Sequence, residues 1–260
     1  MTNSVKEESV EVDGCPIHLR RAGSGETILF LHGAHGVGTW NPFFQLLAQD
    51  AALIVPDHPG FGRSQPRGLV ETVADLAYVY LDLIAQLGLK NVHLVGHCIG
   101  GWAALEMAVR SPGAIARLSL VNSAGVSVPE VRMGDFFIAT PERLPGLLFA
   151  DPARGAALLD AEFGAIDDAT LHANRVMAAR LSWSPRLFDP ALERWLRRIG
   201  VPTTVVWGRS NRILPPAYGE RLRDRIPKAR LAVIEGCGHL AYLEQPAAVA
   251  QAILTSGRQA

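Results

Sequence analysis

The chain of 260 residues has 25 Lys and Arg residues against 25 Asp and Glu residues, so its formal net charge is zero. Hydrophobic residues make up 48% and charged residues 19%, which excludes a disordered chain and a coiled coil. The lack of a basic excess argues against nucleic acid or an anionic membrane as a partner. We therefore expect one globular domain that carries an insertion.

The cysteines and the first residues of the chain predict the cellular compartment. Cys15, Cys98 and Cys237 form a sparse, odd set rather than a disulfide framework, which favours a reducing compartment. The first eight residues are polar and acidic, without the apolar core of a signal peptide. No uncharged apolar run reaches the roughly 18 residues that a membrane helix needs. We expect a soluble, cytoplasmic protein.

Short apolar runs, bounded by Gly, Pro or Asn, alternate along the chain with stretches of helical length. The runs are typical of strands buried on both faces, and they cover residues 28–31, 53–55, 92–95, 118–121, 203–207 and 231–234. This alternation predicts an α/β fold, a mostly parallel sheet flanked by helices.

Four of the intervening stretches predict helices. In the first, apolar residues recur at helical spacing from Val73 to Leu87, and Gly88 is placed to end the helix. The second covers 101–109 and stops before Pro112. The other two, 216–226 and 246–254, each begin with proline.

The alternation stops between residues 125 and 199. This segment has no clear strand, but it has helical patches, several prolines and bulky apolar residues. We predict a helical lid, inserted at the carboxyl edge of the sheet into a core formed by residues 1–124 and 200–260. The alternative is a set of additional core helices.

The segment 96–101 (Gly-His-Cys-Ile-Gly-Gly) follows a predicted strand and begins a predicted helix. This strand-turn-helix context is that of a nucleophile elbow. The turn is so tight that a Cβ atom would clash at positions 96 and 100, and both residues are glycine. The elbow makes Cys98 the candidate nucleophile, at a helix N-terminus that favours a thiolate. The alternative is that Cys98 is an ordinary small buried residue.

Three other segments supply candidate partners for Cys98. The glycine-rich loop 32–36 (His-Gly-Ala-His-Gly) follows a strand and can point a backbone N–H at Cys98. We predict that the backbone N–H groups of Ala34, in this loop, and of Ile99, in the elbow, form the oxyanion hole. His239, in a glycine-flanked loop past the last strand, is the candidate general base. Asn211, which follows the preceding strand, is the candidate orienting residue.

Taken together, these motifs resemble the α/β-hydrolase superfamily over about residues 10–256, and within it the capped single-domain branch of esterases, carbon–carbon bond hydrolases and epoxide hydrolases. The matching segments are 32–36, 57–64, 96–101, Trp207-Gly208 and Gly238-His239. The resemblance implies an eight-stranded sheet, and it implies that Asp57 shapes a loop rather than acting in catalysis.

The sequence departs from this family at two positions. Cys98 stands where the family usually has serine, and Asn211 where it usually has aspartate. Some relatives place the acid after the strand that here ends at residue 121, but that position is Asn122. Epoxide hydrolases need a carboxylate nucleophile, so Cys98 argues against that activity.

The two departures fit one chemistry. An imidazolium and a helix dipole can lower a thiol pKa from about 8.5 to about 3.5–7.5, so a thiolate–imidazolium pair can exist before substrate binds. Asn211 would then orient the ring, as asparagine does in papain-like proteases. The predicted activity is hydrolysis of an ester, lactone or thioester with an apolar acyl or alkyl group. Preferential alkylation of Cys98 over Cys15 at mildly acidic pH would be its signature.

Other functions stay open. The chain can be an inactive or inactivated hydrolase, natural or engineered, that binds a small apolar ligand. It can be a carbon–carbon bond hydrolase of ring-cleavage products, although His97 and Leu240 stand where that family usually has asparagine and tryptophan. A zinc site or a disulfide at Cys98 and Cys237 is a further alternative.

We expect a small-molecule substrate, no cofactor, no metal and no membrane or nucleic-acid partner; a homodimer is one of the oligomeric states left open. The site is expected between the elbow and the lid. Its candidate substrate-binding residues are His35, Trp40, His97, Phe136, Phe137, Trp183 and Leu240.

Overall fold

The computed structural model describes residues 4–64 and 70–257, so residues 1–3, 65–69 and 258–260 of the predicted core lie outside the described part. Eight strands form one sheet in the order β1-β2-β4-β3-β5-β6-β7-β8. They are β1 (Lys6–Val12), β2 (Cys15–Ala22), β3 (Thr27–Leu31), β4 (Ala52–Pro56), β5 (Val92–His97), β6 (Ile115–Val121), β7 (Thr203–Gly208) and β8 (Ala229–Ile234). The predicted mostly parallel, eight-stranded sheet is confirmed.

The first two strands form an antiparallel hairpin, and β2 also pairs antiparallel with β4, whereas the remaining neighbours are parallel. The hairpin is absent from the strands predicted above. Its turn is Asp13-Gly14, with φ values of 46° and 74°. Two successive residues with positive φ form the two-residue turn that Asp-Gly sequences favour, so the signal was present.

Helices cover both faces of the sheet. They are α1 (Pro42–Asp50), α2 (Val73–Gln86), α3 (Ile99–Arg110), α4 (Leu144–Leu148), α5 (Pro152–Phe163), α6 (Asp168–Ser182), α7 (Pro216–Arg225), α8 (Ala241–Glu244) and α9 (Pro246–Leu254), with a 3₁₀ helix at Glu193–Arg198. The four predicted helices are present as α2, α3, α7 and α9. Helix α1 was not predicted, although Asn41 is a good N-cap and its Oδ1 accepts the N–H of Phe44 at 3.2 Å.

Between β6 and β7, residues 125–199 contain α4, α5, α6 and the 3₁₀ helix. We call this segment the insertion. In the described structure its strand-like pairing is one isolated bridge, between Gly125 and Phe188. Buried side chains such as Phe149 and Met177 belong to the same hydrophobic cluster as the sheet, so the insertion packs on the core.

The side chain of Phe30 joins the sheet to the helices near the carboxyl ends of the strands. Its ring makes edge contacts with Phe43 at 5.7 Å, Phe44 at 5.1 Å and Tyr242 at 6.2 Å. These contacts connect β3 to α1 and to α8. The loops that leave β3 and β8 are therefore held at the same edge of the sheet.

Among the residues that the structure describes, no helix combines the length and the apolarity that crossing a membrane requires.

Replacing Phe30 with alanine is expected to lower the free energy of unfolding by about 3–5 kcal/mol, because the truncation leaves a cavity and removes three aromatic contacts. Urea denaturation measures this loss. Ile138→Ala is the control, since Ile138 is 72% exposed and its truncation should change stability by no more than about 0.5 kcal/mol. Equal losses in the two variants would show that Phe30 does not carry the packing described above.

Candidate functional site

Cys98 lies in a strained turn between β5 and α3. Its φ is 51° and its ψ is −117°, a conformation that side-chain-bearing residues seldom adopt. A Cβ on Gly96 would overlap the backbone of Gly100, and one on Gly100 would overlap the carbonyls of Leu31 and His32. The two glycines therefore let β5, α3 and the end of β3 meet at the elbow.

Two backbone N–H groups converge on the Cys98 sulfur, those of Ile99 and Ala34. Ile99 begins α3, and Ala34 lies in the loop after β3. The structure thus brings together the candidate nucleophile and the two backbone donors predicted to form the oxyanion hole. An oxygen that replaced the sulfur as acceptor would meet two N–H donors, which is the geometry of an oxyanion hole.

Hydrogen bonds on the opposite side of the loop orient the N–H of Ala34. The carbonyl of Gly33, which belongs to the same peptide unit, accepts from Nδ1 of His32 at 2.7 Å and from the N–H of Gly36 at 3.1 Å. In a trans peptide the C=O and the N–H point in opposite directions. Holding the carbonyl away from the elbow therefore turns the N–H of Ala34 toward it.

The proton on Nδ1 of His32 is set by a neighbouring histidine. Nε2 of His32 accepts the backbone N–H of His58 at 2.8 Å, so the ring's own N–H must be on Nδ1. His58 in turn donates from Nε2 to the carbonyl of His32 at 2.9 Å and accepts from the hydroxyl of Tyr80 at 2.5 Å. Burial lowers the pKa of His32 to about 4, which keeps this chain of hydrogen bonds neutral.

His239 meets Asn211 across the carboxyl ends of β7 and β8. Nδ1 of His239 is 3.2 Å from Oδ1 of Asn211. That oxygen also accepts the backbone N–H groups of Ile213 at 3.1 Å and Leu214 at 3.0 Å, which rules out a flipped amide. Nδ1 of His239 is consequently the protonated nitrogen, and Nε2 is left with a lone pair.

The other atom of the Asn211 amide is unsatisfied. Its Nδ2 is buried and has no hydrogen-bond partner within the described residues. Three N–H donors thus meet one oxygen while an NH₂ group has no acceptor, a donor set that would suit a carboxylate.

The backbone of His239 is held as tightly as its ring. Its carbonyl accepts from Nδ2 of Asn122 at 2.7 Å and from Nε2 of His97 at 3.0 Å. The rings of His97 and His239 are 5.0 Å apart, which brings the imidazole to the elbow. Asn122, at the second position where relatives carry an acid, contacts the backbone of the His239 loop rather than the ring.

A buried carboxylate that we did not predict also holds this loop. Oε2 of Glu244 accepts the N–H of Gly238 at 2.6 Å, and its Oε1 accepts the N–H of Ala150 at 2.9 Å. Glu244 therefore ties the histidine loop to the insertion. A glutamate five residues after the candidate base was a visible but non-specific signal.

Burial shifts the pKa values of both Cys98 and His239. Burial raises the pKa of the Cys98 thiol to about 12, more than the N–H groups of Ile99 and Ala34 lower it. Burial also holds the pKa of His239 well below its ordinary value, with His97 and His35 adding to the effect. Both directions favour a neutral thiol beside a neutral imidazole and disfavour a preformed thiolate–imidazolium pair.

A cavity of about 350 Å³ lies between the loop after β3 and the insertion. Ala34 is part of its wall, so the cavity borders the candidate oxyanion hole. Its lining is mostly apolar, with a few polar groups, and consists of Ala34, His35, Phe136, Leu144, Leu159, Phe163, Leu171, His172, Asn174 and Arg175. Of the predicted substrate-binding residues, His35 and Phe136 are at this cavity.

The structure places the other predicted substrate-binding residues elsewhere. His97 is buried against His239, and Leu240 is buried in the core. Trp40 packs on Phe44, with ring centroids 5.3 Å apart.

The remaining two, Phe137 and Trp183, do not line the cavity. Phe137 stacks on Phe136 with ring centroids 4.1 Å apart, and Trp183 makes an edge contact with Phe137 at 5.5 Å. Trp183 is 44% exposed at the end of α6. Apolar character alone did not show which face of the insertion each of these side chains occupies.

The zinc alternative finds no support in the part of the chain that the structure describes, where no group of three His, Cys, Asp or Glu residues could hold a metal ion. Cys98 and Cys237 are not joined by a disulfide, so that alternative is not realised.

Alkylation of Cys98 by iodoacetamide is expected to be slow at neutral pH and to rise about tenfold per pH unit between roughly pH 6 and pH 9, because its thiol stays protonated over that range. Mass spectrometry of the labelled peptide measures the rate, and the urea-denatured chain gives the unhindered reference. A plateau below pH 7 would instead demonstrate the preformed thiolate.

Comparisons with known proteins identify the family to which the chain belongs. The model of the alpha/beta hydrolase family matches residues 28–252. The chain is 28% identical over 268 residues to a 2-hydroxy-6-oxo-6-phenylhexa-2,4-dienoate hydrolase of Burkholderia cepacia, covering 88% of this chain and 86% of the relative.

Two solved structures are similar over almost the whole chain. A thermophilic esterase from Thermogutta terrifontis has a TM-score of 0.77 at 28% identity, over 96% of this chain and 97% of the esterase. A bacterial membrane phospholipase A has a TM-score of 0.81 at 26% identity, over 98% of this chain and 87% of the other. The chain belongs to the α/β-hydrolase family and is a hydrolase of that superfamily.

Proposed function

We propose that this hydrolase cleaves a small ester, lactone or thioester with an apolar acyl or alkyl group, through an acyl intermediate on Cys98. The observation that carries the proposal is the hydrogen bond from Nδ1 of His239 to Oδ1 of Asn211, because it leaves Nε2 unprotonated and able to act as a base.

The proposed reaction begins with two neutral partners. As the Cys98 sulfur attacks the carbonyl carbon, the thiol proton moves to Nε2 of His239, and the N–H groups of Ala34 and Ile99 bind the oxyanion. The imidazolium then gives that proton to the leaving group as its bond to carbon breaks. Water attacks the acyl-thioester with His239 as base, and the sulfur leaves with the proton returned to it.

Asn211 can replace the usual aspartate as the residue that orients His239, because hydrogen bonds fix the orientation of its amide. Replacing the triad aspartate by asparagine in a serine protease lowers kcat by about 10⁴, through the wrong histidine tautomer. In this chain the backbone N–H groups of Ile213 and Leu214 hold Oδ1 of Asn211 toward His239, so the productive tautomer is kept. What Asn211 does not supply is the negative charge that stabilises an imidazolium.

A thiol reduces the need for that charge. Burial raises the pKa of a thiol and of an alcohol alike, but a thiol starts from about 8.5, far below an alcohol, so less basicity is required of the imidazole. The Cys98 and Asn211 departures therefore support each other, since a serine at this position would depend more strongly on the missing carboxylate.

The cavity and the relatives support the proposed substrate class. About 350 Å³ of mostly apolar space beside Ala34 suits a small acyl or alkyl group. One similar structure is an esterase and another is a phospholipase A, both of which cleave carboxylic esters by name.

A second candidate function is binding of a small apolar ligand without turnover. The unsatisfied Nδ2 of Asn211 favours it, because a site built around a carboxylate would lose its activity on this substitution.

Hydrolysis of p-nitrophenyl esters by five proteins separates the two functions: the parent chain, Cys98→Ala, Cys98→Ser, Asn211→Asp and the Cys98→Ser/Asn211→Asp double variant. The parent chain should hydrolyse the esters and acylate Cys98, whereas Cys98→Ala should be inactive. Asn211→Asp should raise kcat/KM about tenfold or more, because a carboxylate accepts the same donors and stabilises the imidazolium.

The serine variants provide the contrast. Cys98→Ser alone should lose about 10²-fold or more in kcat, and the double variant should recover most of that loss. An inactive parent chain alongside an active double variant would reject the thiol mechanism in favour of ligand binding. Inactivity of all five would reject ester hydrolysis altogether.

Carbon–carbon bond hydrolysis is a third candidate, favoured by the similarity to the Burkholderia cepacia dienoate hydrolase. We expect no consumption of 2-hydroxy-6-oxo-6-phenylhexa-2,4-dienoate above background, followed by its absorbance with the ester panel as positive control. Turnover of the dienoate with inactivity toward esters would replace the proposed function.

A further inference from the structure

We propose that Glu162 and Asn174, two buried polar residues of the insertion, position the loop 33–41 so that the oxyanion hole is complete only when the insertion is docked on the core. We call this loop the oxyanion loop, and the two residues the latch. The inference rests on the proposed function for its kinetic effect, but its structural effect can be measured independently.

Glu162, near the end of α5, contacts the loop through both its side chain and its backbone. The side chain, 4% exposed, accepts from Oγ1 of Thr39 at 3.0 Å and from Nδ2 of Asn41 at 3.1 and 3.2 Å. The carbonyl of Glu162 accepts the N–H of Thr39 at 3.1 Å. A Cβ on Gly38 would overlap that carbonyl, so the loop approaches α5 as closely as a backbone can.

Asn174, in α6, holds the preceding part of the loop. Its Nδ2 donates to the carbonyl of His35 at 3.0 Å, and its Oδ1 accepts the N–H of Gly62 at 2.9 Å. Gly36, at φ 84°, leaves room for this amide, which a Cβ would approach to 2.6 Å. Asn174 is 2% exposed, and both its polar atoms are used to join the oxyanion loop to a second core loop.

These contacts matter for Ala34 because the loop is intrinsically free to move. Gly33, Gly36 and Gly38 permit many backbone conformations, and such freedom must be restricted if one N–H is to face a reacting oxygen. His32 anchors the loop on the core side. The latch anchors it on the insertion side, immediately after the Gly33–Gly36 turn that contains Ala34.

The chemistry of Glu162 suits positioning better than stabilisation of the fold. Its carboxylate accepts from an amide, a hydroxyl and a backbone N–H group rather than from a cation at hydrogen-bond distance, and burial raises its pKa. A buried carboxylate of this kind costs free energy that an apolar side chain would not. Arg20 and Tyr242 are the nearby ionisable groups that sense its charge.

The test compares Glu162→Gln with Asp160→Asn, which removes the same charge from an exposed position of the same helix. In Glu162→Gln an NH₂ group faces the amide donor of Asn41. The double variant Glu162→Gln/Asn41→Asp reverses the polarity of that hydrogen bond, and aspartate can still cap α1. Asn174→Ala removes the other half of the latch.

Two readouts are measured on each variant: kcat and KM for p-nitrophenyl butyrate, and hydrogen–deuterium exchange of the segment 33–41. Glu162→Gln and Asn174→Ala should each lower kcat about 10-fold to 10²-fold, with a much smaller change in KM, because an oxyanion-hole donor is misplaced. Both should also speed exchange in the segment. Asp160→Asn should match the wild type, and the double variant should recover most of the loss.

Exchange that stays at the wild-type rate in Glu162→Gln and Asn174→Ala would overturn the proposal. So would a kcat loss that Asp160→Asn shares or that the double variant does not relieve. If the wild-type chain hydrolyses no ester, the proposed function fails, and the exchange rates alone decide whether the latch holds the loop. Thermal melts identify any variant that is unfolded, in which case the remaining latch variant decides.

Discussion

The left-handed backbone of Cys98 is the constraint on which the rest of the site depends. At φ 51° the chain reverses between β5 and α3 without an intervening loop, so the first turn of α3 points its N–H groups at the residue that precedes it. The same reversal requires Gly96 and Gly100, because the backbone of α3 comes too close to β5 and to the end of β3 for a Cβ. Chain packing, rather than any single polar contact, thus creates the geometry that the chemistry would use.

Around this turn the polar groups are arranged to stay neutral. His32 and His239 each have one nitrogen assigned as donor by a specific acceptor, Gly33 and Asn211 respectively. Full burial disfavours every charged form, which explains why the thiol is not ionised although it lies at a helix N-terminus. Any charge separation must then arise during the reaction, where the N–H groups of Ala34 and Ile99 can respond to it.

The sequence predicted the features that depend on local chain geometry. The six strand runs, four helices and the elbow were identifiable because periodicity and glycine placement act over a few residues. The Asp13-Gly14 hairpin carried a local signal that we overlooked.

What could not be predicted depends on contacts between distant segments. Asn122 reaches the His239 loop across 117 residues, and Glu162 reaches Asn41 across 121. Neither spacing leaves a trace in the sequence. The sequence did not reveal that burial raises the pKa of the Cys98 thiol, because the burial of a thiol depends on the packing of the whole domain. The lining of the cavity was only partly foreseen, since the amphipathic pattern of the insertion did not reveal that Trp183 faces outward.

The buried, neutral histidines make the stability of the fold depend on pH. Six of the eight, His32, His35, His58, His93, His97 and His239, have pKa values lowered by burial from the ordinary 6.5. An unfolded chain below that pH binds protons that the folded chain refuses, so unfolding is coupled to proton uptake and stability falls as pH falls. Protons therefore act as ligands of the denatured state. The buried imidazoles that organise the site also contribute to the pH below which the fold is lost.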